Sequence, residues 1–195
     1  MIVGLAGKTC AGKDTLVPFF SERGFTLVDA DEIAHRALDA NSEAVLRRFG
    51  TLERSTLGKV VFSNPSALAD LETLTHPWIA SEVRRQVDEA KGDVVINAAL
   101  LHKQDLYRLC DVVIWVQAPL ITRILRARRR DHKSWMGILS RIWSQRKLGA
   151  QVFSADVDIL KVNNRGSPLD ARRTLEARFG PTPAFSRKEE THEKQ

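Results

Sequence analysis

The first residues whose types and spacing could do chemistry lie in a glycine-rich loop near the start of the chain. Gly7, Gly12 and Lys13 have the spacing G-x-x-x-x-G-K, in which a loop curls its backbone N–H groups around the terminal phosphates of a nucleotide. The lysine neutralises phosphate oxygens, and the helix that follows points its positive end at them. The spacing therefore predicts a nucleotide site, with Cys10 and Ala11 among the loop residues that hold the phosphates.

The residue that follows the lysine departs from this motif. The motif carries Ser or Thr there, whose hydroxyl holds Mg²⁺, whereas this chain has Asp14 and then Thr15. A carboxylate and a hydroxyl are both oxygen ligands of the kind that Mg²⁺ prefers. The sequence therefore leaves Asp14 and Thr15 open as alternative ligands of the metal.

The composition bounds the kind of partner. A chain of 195 residues is long enough for one domain with a sizeable core, and its net charge of +6 suits nucleic acid or a small polyanion equally. The densest basic cluster, residues 126–130, has no interleaved aromatic side chain for base stacking. We therefore expect a small-molecule ligand and no nucleic acid.

The compartment is inferred from apolar runs and cysteines. No apolar run approaches the roughly 18 residues of a membrane helix, and the chain opens on a core strand, which leaves no room for a signal peptide. Its two cysteines, Cys10 and Cys110, form no disulfide framework and favour a reducing compartment. We expect a cytoplasmic monomer without a membrane partner.

Strands alternate with helices along the chain, which predicts a parallel α/β sheet. The predicted strands are residues 2–5, 26–29, 93–97, 111–116 and 157–160. Ligands bind at the carboxyl ends of the strands in such a sheet. The glycine loop, the run Asp29-Ala30-Asp31 and Asn97 all fall at that edge, so we expect them to lie close together.

The helical segments complete the organisation. The α/β core comprises residues 1–31, 92–118 and 150–180, interrupted by a helical insert at 32–91 and a basic helix pair at 119–149. Breaks in the insert are expected near Asn41, Gly50, Asn64-Pro65 and His76-Pro77. At the last two, the proline is expected to begin a new helix. Pro18 is expected to bend the first helix. Residues 181–195 are polar and charged and are predicted to be a disordered tail.

With these elements in place, the chain resembles the dephospho-coenzyme A kinase family over about residues 1–178. The resemblance rests on the segments 7–15, 28–34, 57–65 and 71–79 and on Leu100-Leu101. The Asp-Ala-Asp and Thr-His-Pro blocks are specific to that family, whereas the glycine loop alone indicates only a P-loop fold.

The resemblance implies a fold and a reaction. The fold is a P-loop NTPase core with a five-stranded parallel sheet flanked by helices, a helical insert that binds the CoA part and a helical lid. The reaction transfers the γ-phosphate of ATP to the ribose 3′-hydroxyl of dephospho-CoA, with ATP and Mg²⁺ as cofactors.

The same resemblance assigns roles to residues. Asp31 matches the base that accepts the proton of the 3′-hydroxyl, although a carboxylate there could also only cap the next helix. Lys13 and the lid residue Arg141 would stabilise the transferred phosphate. The resemblance implies substrate roles for Asp31, His76 and Leu100, although His76 could only begin a helix and Leu100 could be part of the core.

Arg84 lies about two turns after His76 and could meet the pyrophosphate of the substrate. The turn with Asn164 and Gly166 would hold adenine by backbone contacts, or it is a plain turn.

Asn97 is the second departure from the family, because the third strand usually ends in Asp, which steadies Mg²⁺ through water. Here the neutral Asn97 holds that place, and the usual hydroxyl ligand is the anionic Asp14. Our hypothesis is that Asp14 restores the charge that Asn97 lacks. The alternative is that Thr15 supplies the hydroxyl and Asp14 points elsewhere.

Two rival functions remain open. A nucleoside monophosphate kinase has the same loop and fold, although the 60-residue insert fits a larger acceptor better. A catalytically impaired homologue that binds nucleotide or nucleic acid is the other rival, because Asn97 is neutral.

Overall fold

The computed structural model describes residues 1–99, 101–130, 142, 145, 148–153, 157–165 and 168–181. Five parallel strands form one sheet in the order β2-β3-β1-β4-β5, which confirms the predicted architecture. The strands are β1 (Ile2–Gly7), β2 (Thr26–Asp29), β3 (Val94–Asn97), β4 (Val112–Gln117) and β5 (Asp158–Asn163).

The central strand is β1, which pairs with β3 on one side and β4 on the other. It is buried on both faces because nearly all its residues are apolar. Leu5 pairs in register with Asn97, and Asp29 pairs with the same residue from the other side. The sheet therefore brings the ends of β1, β2 and β3 to one edge, as the sequence predicts.

Seven α-helices are described, and they cover both faces of the sheet. They are α1 (Val17–Ser21), α2 (Ala30–Ala40), α3 (Ser42–Phe49), α4 (Arg54–Ser63), α5 (Pro65–Glu89), α6 (Leu120–Arg130) and α7 (Pro168–Phe179). Short 3₁₀ helices span Lys13–Leu16, Lys103–Leu109 and Ala150–Val152. One face packs against α1 and α7, and the other against α2 and α5.

Pro18 does not bend a helix, contrary to the sequence-based expectation. The phosphate loop continues into the 3₁₀ turn Lys13–Leu16, and α1 begins only at Val17. Pro18 therefore occupies the first turn of α1, where its missing N–H has no helical partner to lose.

The expected break at His76-Pro77 is also wrong, because α5 runs through it without interruption. The amino-terminal half of α5 packs through Ala67 into a cluster with α3 and α4. Its carboxyl-terminal half packs through Ile79 and Val83 onto the sheet. Packing at both ends outweighs the one backbone hydrogen bond that a proline inside a helix removes.

Replacing Pro77 by alanine is expected to raise the free energy of unfolding by about 1–2 kcal/mol. Alanine restores a hydrogen bond to the carbonyl of Thr73, and that gain exceeds the unfolded-state entropy that proline removes. Urea denaturation measures the change. Pro65→Ala is the matched control, because Pro65 stands in the first turn of the same helix and lacks no bond there. Equal effects of the two substitutions would contradict the prediction.

Most of the predicted second helix of the basic pair, residues 134–148, lies outside the described residues, which include only 142, 145 and 148 of it. Nearly all of the predicted tail also lies outside them. Within the part of the chain that is described, no helix is both long and apolar enough to cross a membrane.

Candidate active site

The phosphate loop requires glycine at both ends of its motif. A side-chain carbon on Gly7 would lie 2.7 Å from the carbonyl oxygen of Val116. Gly12 has a φ of 88°, and a side-chain carbon there would lie 2.4 Å from Nδ2 of Asn164. The first glycine thus lets β1 approach β4, and the second supplies a left-handed turn.

Lys13 lies at the centre of the site. Its Nζ atom donates hydrogen bonds of 2.9 Å to Oδ1 of Asp14, Oδ2 of Asp31 and Oδ1 of Asn97. Burial lowers the pKa of Lys13, whereas the neighbouring carboxylates of Asp31 and Asp14 raise it. Together the carboxylates outweigh burial, so the pKa of Lys13 lies above its ordinary value. Lys13 therefore stays charged, and its three hydrogen bonds hold its orientation.

Asp29 and Asp31 have different tasks, although they are only two residues apart. Oδ1 of Asp29 accepts hydrogen bonds of 3.0 Å from the backbone N–H groups of Asp31 and Glu32. Asp29 is thus the cap of α2, and the alternative that Asp31 merely caps this helix is wrong. Asp31 instead directs Oδ2 to Lys13 and accepts a hydrogen bond of 3.3 Å at Oδ1 from the backbone of Ala99.

Asn97 joins the carboxylates of the site. While its Oδ1 accepts from Lys13, its Nδ2 donates to Oδ2 of Asp29 at 3.1 Å and to Oδ1 of Asp14 at 3.3 Å. The two residues that depart from the family pattern, Asp14 and Asn97, are therefore in direct contact. Thr15 differs, since its hydroxyl donates to the carbonyl of Gly12 at 2.7 Å.

A basic residue of α6 and the turn after β5 hold the loop from outside. Arg126 donates to the carbonyl of Ala11 at 2.9 Å and to Oδ1 of Asn164 at 3.0 Å. Asn164 is fully buried and donates to the carbonyls of Ala11 and Gly12 at 3.1 and 3.4 Å. These bonds satisfy the carbonyls of Ala11 and Gly12, while the loop N–H groups of Thr9 and Ala11 donate to Gln145 and to the carbonyl of Lys8.

The loop, Asp31 and two arginines of α6 line one cavity of about 750 Å³. The two arginines are Arg126 and Arg129, and Asp14 lines the same cavity. The cavity therefore combines cationic side chains with two carboxylates, Asp14 and Asp31, which suits the binding of a polyphosphate and proton transfer beside it.

His76 and Arg84 lie apart from this cavity, in a separate open groove on α5. Glu72 borders the same groove and forms an ion pair with Lys103 of the 3₁₀ helix after β3. Burial lowers the pKa of His76, so this side chain is more often neutral than an exposed histidine. The substrate roles of His76 and Arg84 stay predictions.

Three predicted site residues, Leu100, Arg141 and Gly166, lie outside the described residues. Gln145, which belongs to the same predicted lid helix as Arg141, is described and accepts a hydrogen bond of 2.7 Å from the backbone N–H of Thr9. Arg123 and Arg126 contact loop carbonyls, a task that charge clustering along the sequence could not reveal.

Comparison with known proteins places this arrangement among phosphate-transfer enzymes. The family model described as dephospho-CoA kinase matches residues 1–168. The chain is 32% identical to a dephospho-CoA kinase of Bacillus licheniformis over 190 residues, covering 90% of this chain and 93% of the relative.

Two solved structures are similar throughout. A Thermus thermophilus protein has a TM-score of 0.73 and 26% identity, with coverage of 91% of this chain and 95% of that one. The dephospho-CoA kinase of Campylobacter jejuni has a TM-score of 0.63 and 26% identity, with coverage of 90% and 94%.

Proposed function

This chain belongs to the dephospho-CoA kinase family, and from that premise we propose that it transfers the γ-phosphate of ATP to the ribose 3′-hydroxyl of dephospho-CoA. The observation that carries the proposal is the pairing of Lys13 with Asp31 at 2.9 Å beside the phosphate loop. This pairing puts the cation for the transferred phosphate next to a carboxylate for the acceptor hydroxyl.

The reaction needs little covalent work from the protein. The 3′-oxygen forms a bond to the γ-phosphorus, the bond from that phosphorus to the bridging oxygen breaks, and ADP leaves. Asp31 accepts the proton of the hydroxyl, while Lys13 and the loop N–H groups stabilise the charge on the transferred group. We propose that Arg141, in the lid at 119–149, also stabilises the negative charge on the transferred group when the lid closes.

The side chains around Lys13 fit Mg²⁺ as a partner of ATP. The carboxylate of Asp14 or, alternatively, the hydroxyl of Thr15 would supply an oxygen donor, and the amide oxygen of Asn97 would act through water. Within the described residues no group of three or more His, Cys, Asp or Glu forms a complete metal site. Mg²⁺ is typically held by one or two carboxylates together with phosphate oxygens and water. When bound, it would neutralise charge between the β- and γ-phosphates.

We expect the single variant Asp14→Ser to lower kcat/KM by at least about thirtyfold. The contact between Asp14 and Asn97 supports the hypothesis that the carboxylate replaces the negative charge missing from position 97. The double variant Asp14→Ser/Asn97→Asp returns the charge to the usual place, and we expect it to recover most of the loss. Activity is measured across a magnesium titration.

An Asp14→Ser enzyme with equal or better magnesium dependence would contradict compensation and favour Thr15 as the ligand. If the double variant is no better than the single one, the two positions are not coupled. Asn97→Asp alone is the necessary third member of the cycle.

A coupled ADP-release assay with dephospho-CoA, AMP, CMP and adenosine as acceptors tests the function. Turnover with dephospho-CoA alone supports the proposal, whereas preference for AMP or CMP would indicate a nucleoside monophosphate kinase. Inactivity with every acceptor would indicate an impaired homologue. We further propose that the protein is a cytoplasmic monomer whose insert at 32–91 binds the CoA part, and size-exclusion chromatography checks the oligomeric state.

A further inference from the structure

A turn within the phosphate loop contains a strained residue. The N–H of Ala11 donates to the carbonyl of Lys8 at 2.9 Å, which closes a four-residue turn over residues 8–11. Cys10, the third residue of this turn, has a φ of 60°. Glycine is usual at a turn position of positive φ, because a side-chain carbon there crowds the following carbonyl. The loop therefore keeps a backbone conformation at Cys10 that a residue with a side chain disfavours.

Two arginines of α6 hold the carbonyls on either side of Cys10. Arg123 donates from Nε to the carbonyl of Thr9, and Arg126 donates from Nη1 to the carbonyl of Ala11, each at 2.9 Å. The arginines are three residues apart, so they lie on one face of the helix. Strained backbone persists only where the surrounding structure fixes it. These two bonds fix it on both sides of the strained residue.

The side chain of Cys10 packs against the same helix. It is partly buried in a small apolar cluster with Ile124 and Ala127 of α6 and with Ile142. The helix therefore holds the turn in two ways, through the backbone carbonyls and through the side chain between them.

The held carbonyls determine where the next N–H groups point. In a trans peptide the C=O and the following N–H lie in one plane and point in opposite directions, and none of the described peptide bonds is cis. Fixing the carbonyls of Thr9 and Ala11 therefore directs the N–H groups of Cys10 and Gly12 away from the arginines. Backbone N–H groups of this motif cradle the phosphates. The arginines thus act on a phosphate from behind the loop.

Arg123 is the clearer case of the two, because it borders a neighbouring cavity of about 1050 Å³ rather than the phosphate cavity that Arg126 lines. It is only 5% exposed, and its Nη2 is buried without a hydrogen-bond partner in the part of the chain that is described. An unpaired buried donor is unfavourable, so stability alone does not explain Arg123. A residue that breaks a local rule in this way is typical of a functional position.

We propose that Arg123 and Arg126 are positioning residues for the nucleotide, which hold the turn at Cys10 in the conformation that binds the phosphates of ATP. Arg123 acts entirely through the carbonyl of Thr9, whereas Arg126 also reaches the phosphate cavity. The inference rests on the proposed function only in naming ATP as the nucleotide.

Arg123→Met tests the proposal, because methionine keeps a long apolar stem and removes the donor. We expect the dissociation constant for ATP, measured by calorimetry with Mg²⁺ and without an acceptor, to rise about tenfold. The melting temperature should not fall, because the variant also removes a buried donor without a partner. Arg128→Met, at an exposed position of the same helix, is the control and should change neither quantity.

A second measurement repeats Arg123→Met in a Cys10→Gly background. Glycine adopts a positive φ without strain, so the turn then needs less support. We expect Arg123→Met to raise the dissociation constant by no more than about threefold in this background. An equal rise in both backgrounds, or no rise in either, overturns the inference. A rise confined to the KM for dephospho-CoA also overturns it.

Binding without an acceptor separates this inference from the proposed function. A wild-type protein that binds ATP but does not turn over dephospho-CoA would overturn the proposed function alone, and the binding series would still decide the role of Arg123. A wild type with normal turnover, together with an Arg123→Met variant that binds ATP normally, would overturn only the inference about the loop.

Discussion

Replacing Lys13 by alanine is expected to lower kcat by about a thousandfold. Lys13 is the cation that Asp14, Asp31 and Asn97 orient together. Its loss removes charge stabilisation of the transferred phosphate and leaves two neighbouring carboxylates uncompensated. The KM for ATP should also rise, because unpaired Asp14 and Asp31 repel the phosphates. Steady-state kinetics of ADP release measures both quantities.

Lys91→Ala is the control for the loss of one positive charge, and circular dichroism checks that both variants are folded. If the Lys13→Ala variant keeps more than about a tenth of the wild-type kcat, Lys13 is not the main cation that stabilises the transferred phosphate.

Replacing Asp31 by asparagine is expected to lower kcat by about a hundredfold to ten-thousandfold, the range for losing a general base. Asparagine keeps the size of the side chain and an acceptor for the N–H of Ala99, but it cannot take a proton. The KM for ATP should not rise, because the change removes a negative charge near the phosphates and releases Lys13 from one of its partners.

Glu32→Gln provides the matched change from acid to amide at the next residue, in the same exposed first turn of α2. We expect it to leave kcat and both KM values within about twofold of wild type. A modest loss of kcat at Asp31, equal to that at Glu32, would mean that Asp31 only helps to hold Lys13.

Sequence reasoning located Lys13, Asp31 and Asn97 at one edge because the ends of parallel strands must meet there. That inference needs only strand order and direction, and the structure places these side chains within hydrogen-bond distance. The capping role of Asp29 was harder to predict from the sequence. Choosing between two acids in the same turn depends on backbone angles that composition does not reveal.

The support of the loop by Arg126 and Asn164 could not be predicted from the sequence. These residues are 38 positions apart and meet only because β4 and β5 are neighbours. A cluster of arginines at the end of a helix favours a solvated or phosphate-binding surface, and nothing in its spacing indicates bonds to carbonyl oxygens.

The uninterrupted α5 has a mechanical consequence. Its 25 residues form a rod about 37 Å long, which is anchored in the α3–α4 cluster at one end and on the sheet at the other. Packing at both ends opposes bending of α5 at Pro77, beside the groove with His76 and Arg84. The carboxyl-terminal half of α5 packs in one cluster with α2, whose first turn carries Asp31, and with β3, which ends at Asn97. The groove and these two site residues therefore belong to one continuously packed unit.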